Sequence, residues 1–207
     1  MLWKFVYFFT YNGFMKKSFL ITEFLIYITF IIFDIYHMDS AYIKYLGIAL
    51  CLVFSIYRKN HIKSLAMLFT FTADFFLLVI NKYYEIGLIS FICAQICYIY
   101  FLGNICKPYF NRFLLIRLII VMFGTIILLI SNNISILNEL VLIYFSNLVI
   151  NTVQAFFSKN SIFAIGLLLF ACCDVCVGLH NINAAYSVAT FLMWVFYLPS
   201  QVLIVLA

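Results

Sequence analysis

The chain has 207 residues, of which 68% are hydrophobic and 9% charged, and its mean hydropathy is +1.18. A soluble domain cannot bury that much apolar surface, so the composition predicts a polytopic membrane protein. The net charge of +5 is too dilute to indicate a nucleic-acid partner and mainly reports orientation in a membrane. Prolines and glycines are few, and the sequence lacks the polar–apolar alternation of membrane barrels, so the predicted fold class is all-α.

Eight apolar segments approach the roughly 20 residues that a spanning helix needs. Residues 1–17 precede them and are predicted to be an interfacial lead-in, because Asn12-Gly13 interrupts this stretch. The predicted helices cover 18–36, 41–57, 64–80, 86–105, 113–131, 135–157, 161–180 and 186–206. Because the breaks between them are short and polar, residues 1–207 are predicted to form a single transmembrane domain, an eight-helix bundle.

The basic residues predict the orientation of this bundle. Eight crossings place ten of the twelve basic residues on one face, and the positive-inside rule assigns that face, with both termini, to the cytoplasm. The ten are Lys4, Lys16, Lys17, Arg58, Lys59, Lys63, Lys107, Arg112, Arg117 and Lys159. Abundant Ile, Phe, Asn, Lys and Tyr are typical of AT-rich genomes, so we expect a multi-pass protein of a bacterial cell membrane.

Two aspartates interrupt the apolar segments: Asp74 in "TFTADFFLLV" and Asp174 in "LFACCDVCVG". Each is about six residues from the outer end of its helix, which places both roughly 9 Å below the outer surface. Gln95, Trp194 and a shallower Lys44 lie in the same half of the bundle. Because a carboxylate facing lipid costs several kcal/mol, we expect a polar pocket open toward the outer leaflet. The alternative is a structural role, with each aspartate bonded to helix-end amides or to Lys44.

The aspartates also suggest an internal repeat. They are 100 residues and four helices apart, and a tyrosine follows each, Tyr98 after 24 residues and Tyr197 after 23. A four-plus-four arrangement with the same orientation in both halves would be a parallel repeat about the membrane normal. Coincidence explains the spacing equally well at this stage.

The stretch "CCDVC" raises a metal hypothesis, because Cys173 and Cys176 form a C-x-x-C pair beside Cys172. Structural zinc sites usually take four ligands, and no histidine lies at this depth. Cysteine also packs well between helices. We therefore predict no metal and no cofactor.

A polar stripe follows one face of the predicted sixth helix. Its members recur at i, i+3, i+7 and i+10, and they are Tyr144, Asn147, Asn151 and Gln154. Hydrogen bonding between helices explains such a stripe more readily than catalysis does.

Several segments resemble the YhhN-like family, the lysoplasmalogenases. "LAMLFTFTADFFLLV…YEIGLISFICAQICYIYFL" resembles the family core, in which a small-residue–Asp stretch leads through "GL…F" to a "YI-YF"-like ending. "AIGLLLFACCDVCVGL" is similar to its second aspartate segment, "WVFYLPSQVLIVLA" to its closing Tyr…Gln helix, and "YIKYLGIAL" to its lysine-bearing second helix. The resemblance covers about residues 40–207 and includes the eight-helix count.

Two positions depart from the family pattern. Gln95 stands where the family often has a histidine, and Tyr45 stands where a proline usually follows the lysine. Glutamine cannot transfer protons, so any step that relies on that histidine must proceed here without it.

The resemblance implies a reaction, the hydrolysis of the vinyl ether of a lysophospholipid to a fatty aldehyde and a glycerophospho-base. Vinyl ethers are cleaved by acid, because protonation of the β-carbon gives a stabilised oxocarbenium ion. Two neighbouring carboxyl groups in a low dielectric share one proton. The resemblance thus implies Asp74 and Asp174 as the catalytic pair, one donating the proton while the other, ionised, stabilises the cation and activates water.

The resemblance also implies a set of substrate-binding residues. They are Lys44, Gln95, Tyr98, Trp194, Tyr197 and Gln201. The aromatic members would line the lipid chain and the lysine would hold the phosphate. The expected partners are a lysophospholipid substrate and membrane lipids, with no nucleic acid.

Two functions of other classes compete with this hydrolase. A small proton-coupled transporter or lipid-binding protein would also use intramembrane acids and a repeat, although almost no glycine or proline breaks the helices. An intramembrane aspartyl protease would also pair aspartates from two helices. Such proteases show Tyr-Asp and Gly-x-Gly-Asp contexts, whereas these aspartates follow Thr72-Ala73 and Cys172-Cys173.

Overall fold

The computed structural model describes the backbone of residues 2–181 and 186–207, and the side chains of residues 13–181 and 188–207. Within these ranges the chain forms eight α-helices and no strand. The helices are α1 (Leu2–Ile35), α2 (Ala41–Tyr57), α3 (His61–Asp74), α4 (Tyr84–Ile105), α5 (Phe110–Ile130), α6 (Ile136–Phe157), α7 (Ser161–Asn181) and α8 (Tyr186–Leu206). The predicted all-α class and eight-helix bundle are confirmed.

Helix length agrees with a membrane bundle. Seven helices in the described ranges are long and apolar enough to cross a membrane, with α3 counted to Ile80, where its continuation after Asp74 ends. The remaining helix, α2, has 17 residues and is at the lower limit of spanning length. The predicted break at Asn12-Gly13 is wrong, because α1 runs without interruption from Leu2 to Ile35. Neither residue costs more than about 1 kcal/mol inside a helix. The apolar span of α1 begins at Gly13, and an interfacial position for the preceding residues stays a prediction.

The helix that carries Asp74 changes its winding directly after this residue. A π-helical segment, Phe75–Ile80, continues α3 beyond Asp74. At its start α3 begins at His61, three residues before the predicted 64, because the Asn60 side chain accepts a hydrogen bond from the Lys63 backbone N–H. π-helical turns are rare and are frequently found at functional sites.

Six helices form a closed ring. Each contacts the next in the order α2, α3, α4, α6, α7, α8, and α8 returns to α2. The other two lie outside, α1 mainly against α2 and α5 mainly against α6. In this ring α3 and α7 stand opposite each other. The two predicted aspartates therefore come from helices that face each other across the interior.

Most helix contacts recur between the two halves of the chain. If every helix number is moved forward by four, with α1 counted after α8, most contacting pairs of one half give contacting pairs of the other. The corresponding pairs are α1–α2 and α5–α6, α2–α3 and α6–α7, α3–α4 and α7–α8, and α4–α6 and α8–α2. This pattern favours the parallel repeat over coincidence, because matched spacing alone would not require matched packing.

The backbones of α7 and α8 approach each other closely at Gly166. A Cβ atom added to Gly166 on α7 would lie 3.1 Å from the Ser200 carbonyl oxygen and 3.1 Å from the Ile204 backbone nitrogen. Small residues permit such backbone contact between helices in membranes. Gly166 thus fixes the position of the helix that carries Asp174 against α8.

Candidate functional site

Asp74 is the last residue of α3 and is enclosed by the ring. Its side chain is buried, at 5% exposure, and its Oδ2 atom accepts a 2.6 Å hydrogen bond from the hydroxyl of Tyr197 on α8. Tyr197 is itself 4% exposed. The contact joins residues 123 positions apart and satisfies both polar groups inside an apolar bundle.

Asp174 lies on α7 across the interior from Asp74. The two carboxylates are within range of each other's charge. Oδ2 of Asp174 is enclosed and has no hydrogen-bond partner among the described residues. The hydroxyl of Tyr144 on α6 interacts with this carboxylate without ideal hydrogen-bond geometry. Each aspartate therefore has a phenol beside it, from a different helix.

An aromatic cluster includes the two phenols that lie beside the aspartates. Phe91 and Tyr144 stack with ring centroids 5.4 Å apart, and Phe170 lies 5.5 Å from Tyr197 and 5.7 Å from Phe91. Trp194 extends the cluster, with its ring 5.5 Å from that of Tyr197. These rings form an apolar wall beside the two phenols.

Lys44 on α2 connects this cluster to the outer end of the bundle. Its Nζ lies 4.6 Å from the centroid of the Trp194 ring and 2.8 Å from Oδ2 of Asp34. The hydroxyl of Ser40 also donates a hydrogen bond to Asp34. A phosphate bound to Lys44 would have to compete with Asp34, so the expected phosphate contact requires the ion pair to open.

Gln95 belongs to a different polar network, deeper in the bundle. Asn151 on α6 donates through Nδ2 to Oε1 of Gln95 at 2.8 Å. The guanidinium of Arg117, on α5, donates to Oδ1 of Asn151 at 2.6 Å and to Oε1 of Gln154 at 2.9 Å. The predicted hydrogen bonding between helices is confirmed for Asn151 and Gln154, whereas Asn147 bonds to its own helix. No hydrogen bond in the described part of the chain joins Gln95 to either aspartate.

Two more predicted binding residues lie on the inner side of the aspartates. Tyr98 is fully buried beside Thr70, one turn before Asp74, and packs edge-on against Phe163. Gln201 is also fully buried, one turn beyond Tyr197, and its Oε1 atom has no partner among the described residues. The expected binding set therefore divides into an outer group at the aspartates and an inner group below them.

Two features differ from what the sequence indicates. Tyr144 lies beside Asp174, although the stripe it belongs to indicates hydrogen bonding between helices. The only signal for it in the sequence is its position at the start of that stripe. Two cavities in the described part of the chain, one beside Glu139 and one beside Lys63, are not lined by Asp74 or Asp174, so the expected open pocket is neither of them.

The cysteines beside Asp174 are free thiols, and Cys173 and Cys176 are buried. Within residues 13–181 and 188–207, no group of three or more His, Cys, Asp or Glu side chains converges in a way that would hold a metal ion. The site is best described as a pair of carboxylates with two phenols in an apolar enclosure.

Comparison with known proteins gives one result. The model of the YhhN family matches residues 39–207 of this chain. No protein with a curated description and no solved structure matches significantly. The matched range begins just before α2 and includes every helix of the ring.

Proposed function

The chain belongs to the YhhN family, and on this premise we propose that it is a membrane-embedded hydrolase of the vinyl-ether bond in lysoplasmalogen-type lysophospholipids. The products are a fatty aldehyde and a glycerophospho-base. The observation that carries the proposal is the placement of Asp74 and Asp174 on opposite helices of the ring, with Asp74 buried, Asp174 half-buried and the charge of Asp174 acting on Asp74. Such a pair can hold one proton between two carboxyl groups.

The reaction begins with transfer of that proton to the β-carbon of the vinyl ether. A C–H bond forms, and a lone pair of the ether oxygen stabilises the resulting oxocarbenium ion. Water adds to the cationic carbon while the ionised carboxylate accepts one of its protons, which gives a hemiacetal. The hemiacetal breaks its C–O bond to glycerol as its hydroxyl proton passes to the departing oxygen. The aspartate pair ends with one proton, as it began.

The surroundings of the pair suit this chemistry. A cation that forms in a water-poor enclosure is stabilised by a fixed carboxylate more strongly than it would be in water. Tyr197 orients Asp74 through a 2.6 Å hydrogen bond, and Tyr144 faces Asp174. The rings of Phe91, Phe170 and Trp194 supply the apolar wall for the alkenyl chain.

The test uses purified protein reconstituted in neutral lipid vesicles with a vinyl-ether lysophospholipid, and it measures aldehyde release. Asp74→Asn and Asp174→Asn each remove a proton-transfer group without changing side-chain volume, so each should lower the rate by about 10²- to 10⁴-fold. Glu85→Gln is the matched control, because it also exchanges a carboxylate for an amide and Glu85 is exposed at the start of α4. Undiminished release by both site variants would contradict the mechanism.

Proton-coupled transport is the second candidate, and one observation favours it. Glu23 on α1 is 3% exposed, its Oε1 atom accepts a hydrogen bond from the thiol of Cys51, and its Oε2 atom has no partner within the described residues. An intramembrane acid of this kind is typical of proton pathways. Uptake of a substrate into vesicles that depends on a proton gradient, without aldehyde release, would favour this function over hydrolysis.

A further inference from the structure

A cavity lies at the end of the bundle where α2 ends, α3 begins and α8 ends. Its volume is about 160 Å³. The lining residues are Ser55, Arg58, Asn60, Lys63, Val205 and Ala207. Lys63 and Asp74 are 11 residues apart on α3, so the cavity is about 16 Å along the helix from the aspartate site. This end carries most of the basic residues, and we call it the basic end.

Lys63 is the buried charge of this cavity. Its side chain is 4% exposed, and its Nζ lies 4.6 Å from the centroid of the Phe101 ring and 5.4 Å from that of Phe163. No carboxylate among the described residues forms an ion pair with it. The nearby charge that acts on it is that of Arg58, which has the same sign. Two aromatic rings partly offset the free-energy cost of burying an ammonium group, but they do not neutralise its charge.

The remaining donors point to what would neutralise this charge. The Arg58 guanidinium donates to the Leu206 carbonyl oxygen at 3.3 Å through one nitrogen, which leaves its other N–H groups free to bind a ligand. Oδ1 of Asn60 is occupied by the Lys63 backbone N–H, so the Nδ2 group of Asn60 remains as a donor. An ammonium, a planar guanidinium and an amide approach one small space from the end of α2 and the start of α3.

We propose that the cavity between Arg58, Asn60 and Lys63 is a binding site for a phosphate group. A tetrahedral oxyanion presents several acceptor oxygens in different directions, which three separate donors can meet at once. Its charge balances two cations that otherwise repel each other. The phosphate belongs either to an anionic phospholipid headgroup at this membrane face or to free inorganic phosphate, and the chemistry of recognition is the same for both.

Occupation of this site has a structural consequence. The ligand would contact the end of α2 through Arg58 and the start of α3 through Lys63, next to the end of α8 at Val205 and Ala207. The same three helices carry Lys44, Asp74 and Tyr197 further along their length. Because the site does not involve the aspartates, the phosphate-binding proposal can be tested independently of the hydrolase proposal.

The test measures phosphatidic acid binding to the purified full chain by native mass spectrometry in neutral detergent, with phosphatidylcholine as the reference lipid. The wild type should bind one phosphatidic acid saturably. Arg58→Gln and Lys63→Gln should each weaken the apparent Kd about tenfold, which corresponds to about 1.4 kcal/mol. Arg112→Gln, an exposed cation of the same end that does not line the cavity, should bind like the wild type.

A second arm distinguishes the source of the phosphate. Inorganic phosphate should raise the Tm of the wild type above its value in chloride at the same ionic strength, and this rise should be lost in Arg58→Gln. A response to phosphatidic acid alone identifies a lipid headgroup, and a response to inorganic phosphate identifies the free ion as sufficient. Arg58 is exposed, so Arg58→Gln remains informative even if Lys63→Gln unfolds. Equal responses of the wild type and Arg58→Gln in both arms would overturn the proposal.

Discussion

The Tyr197 hydroxyl donates a 2.6 Å hydrogen bond to the carboxylate of Asp74, although the two residues are separated by 123 positions in the chain. The bond fixes the Asp74 side chain toward the interior of the helix ring, where Asp174 lies. Hydrogen bonds to charged groups are shorter and stronger than neutral ones. In the proposed reaction Tyr197 is a positioning residue, since it acts through Asp74.

We expect Tyr197→Phe to lower aldehyde release by about tenfold to a hundredfold, because the lost hydrogen bond to a charged group contributes about 1.5–3 kcal/mol. The phenyl ring is retained, so the packing against Phe170 and the Tm should change little. Tyr27→Phe is the matched control, because the Tyr27 hydroxyl donates only to the Val195 carbonyl oxygen at 3.3 Å. Equal activities of the two variants would exclude a positioning role.

The network of Arg117 predicts non-additive effects on stability. Asn151→Leu leaves the guanidinium with one acceptor fewer inside the bundle, and we expect it to lower the free energy of unfolding by about 2–4 kcal/mol. Adding Arg117→Met removes the unpaired charge, so the double variant should be more stable than Asn151→Leu alone. Unfolding in mixed micelles measures the free energy of unfolding of the single and the double variant. Asn147→Leu, from the same helix but bonded only to its own backbone, should change little, and strictly additive losses would contradict the network.

Gly166 predicts a difference between two conservative substitutions on α7. Gly166→Ala would place a Cβ atom 3.0–3.1 Å from three atoms of α8, two of them backbone atoms that cannot move aside alone. We expect a loss of about 1–3 kcal/mol in the free energy of unfolding. Gly178→Ala meets nothing within 4 Å and should be neutral or slightly stabilising, since alanine favours helix. Thermal unfolding of both variants checks this, and equal Tm values would refute the close approach.

The sequence was sufficient for the helices. Hydropathy determines where a chain crosses a membrane, so the predicted boundaries fall within three residues of the observed ones except at the start of α1 and at the end of α3, where the π-helical segment continues to the predicted residue 80. Depth along a helix follows from counting residues, which is why Asp74 and Asp174 could be expected at one height. The continuity of α1 through Asn12-Gly13 was missed, because weak helix propensities yield to an apolar surrounding.

Neighbours across the bundle were less predictable. The depth of a residue along its helix does not determine which face of the helix its side chain occupies. Gln95 was therefore expected beside the aspartates, but its side chain is hydrogen-bonded to Asn151. Tyr144, read as part of a structural stripe, lies beside Asp174. Pairings of this kind depend on the order of helices around the ring, which a single sequence does not specify.

The outlying position of α5 has a consequence for biosynthesis. The main neighbour of this helix, α6, follows it in the chain, so α5 leaves the ribosome before its partner exists. During that interval Arg117 has none of its amide acceptors, and an arginine in lipid is costly until it is paired. The insertion machinery must therefore retain α5, or let its charge reach the headgroups, until α6 arrives. In the first case, the guanidinium of Arg117 requires α5 and α6 to be released together as a helical hairpin.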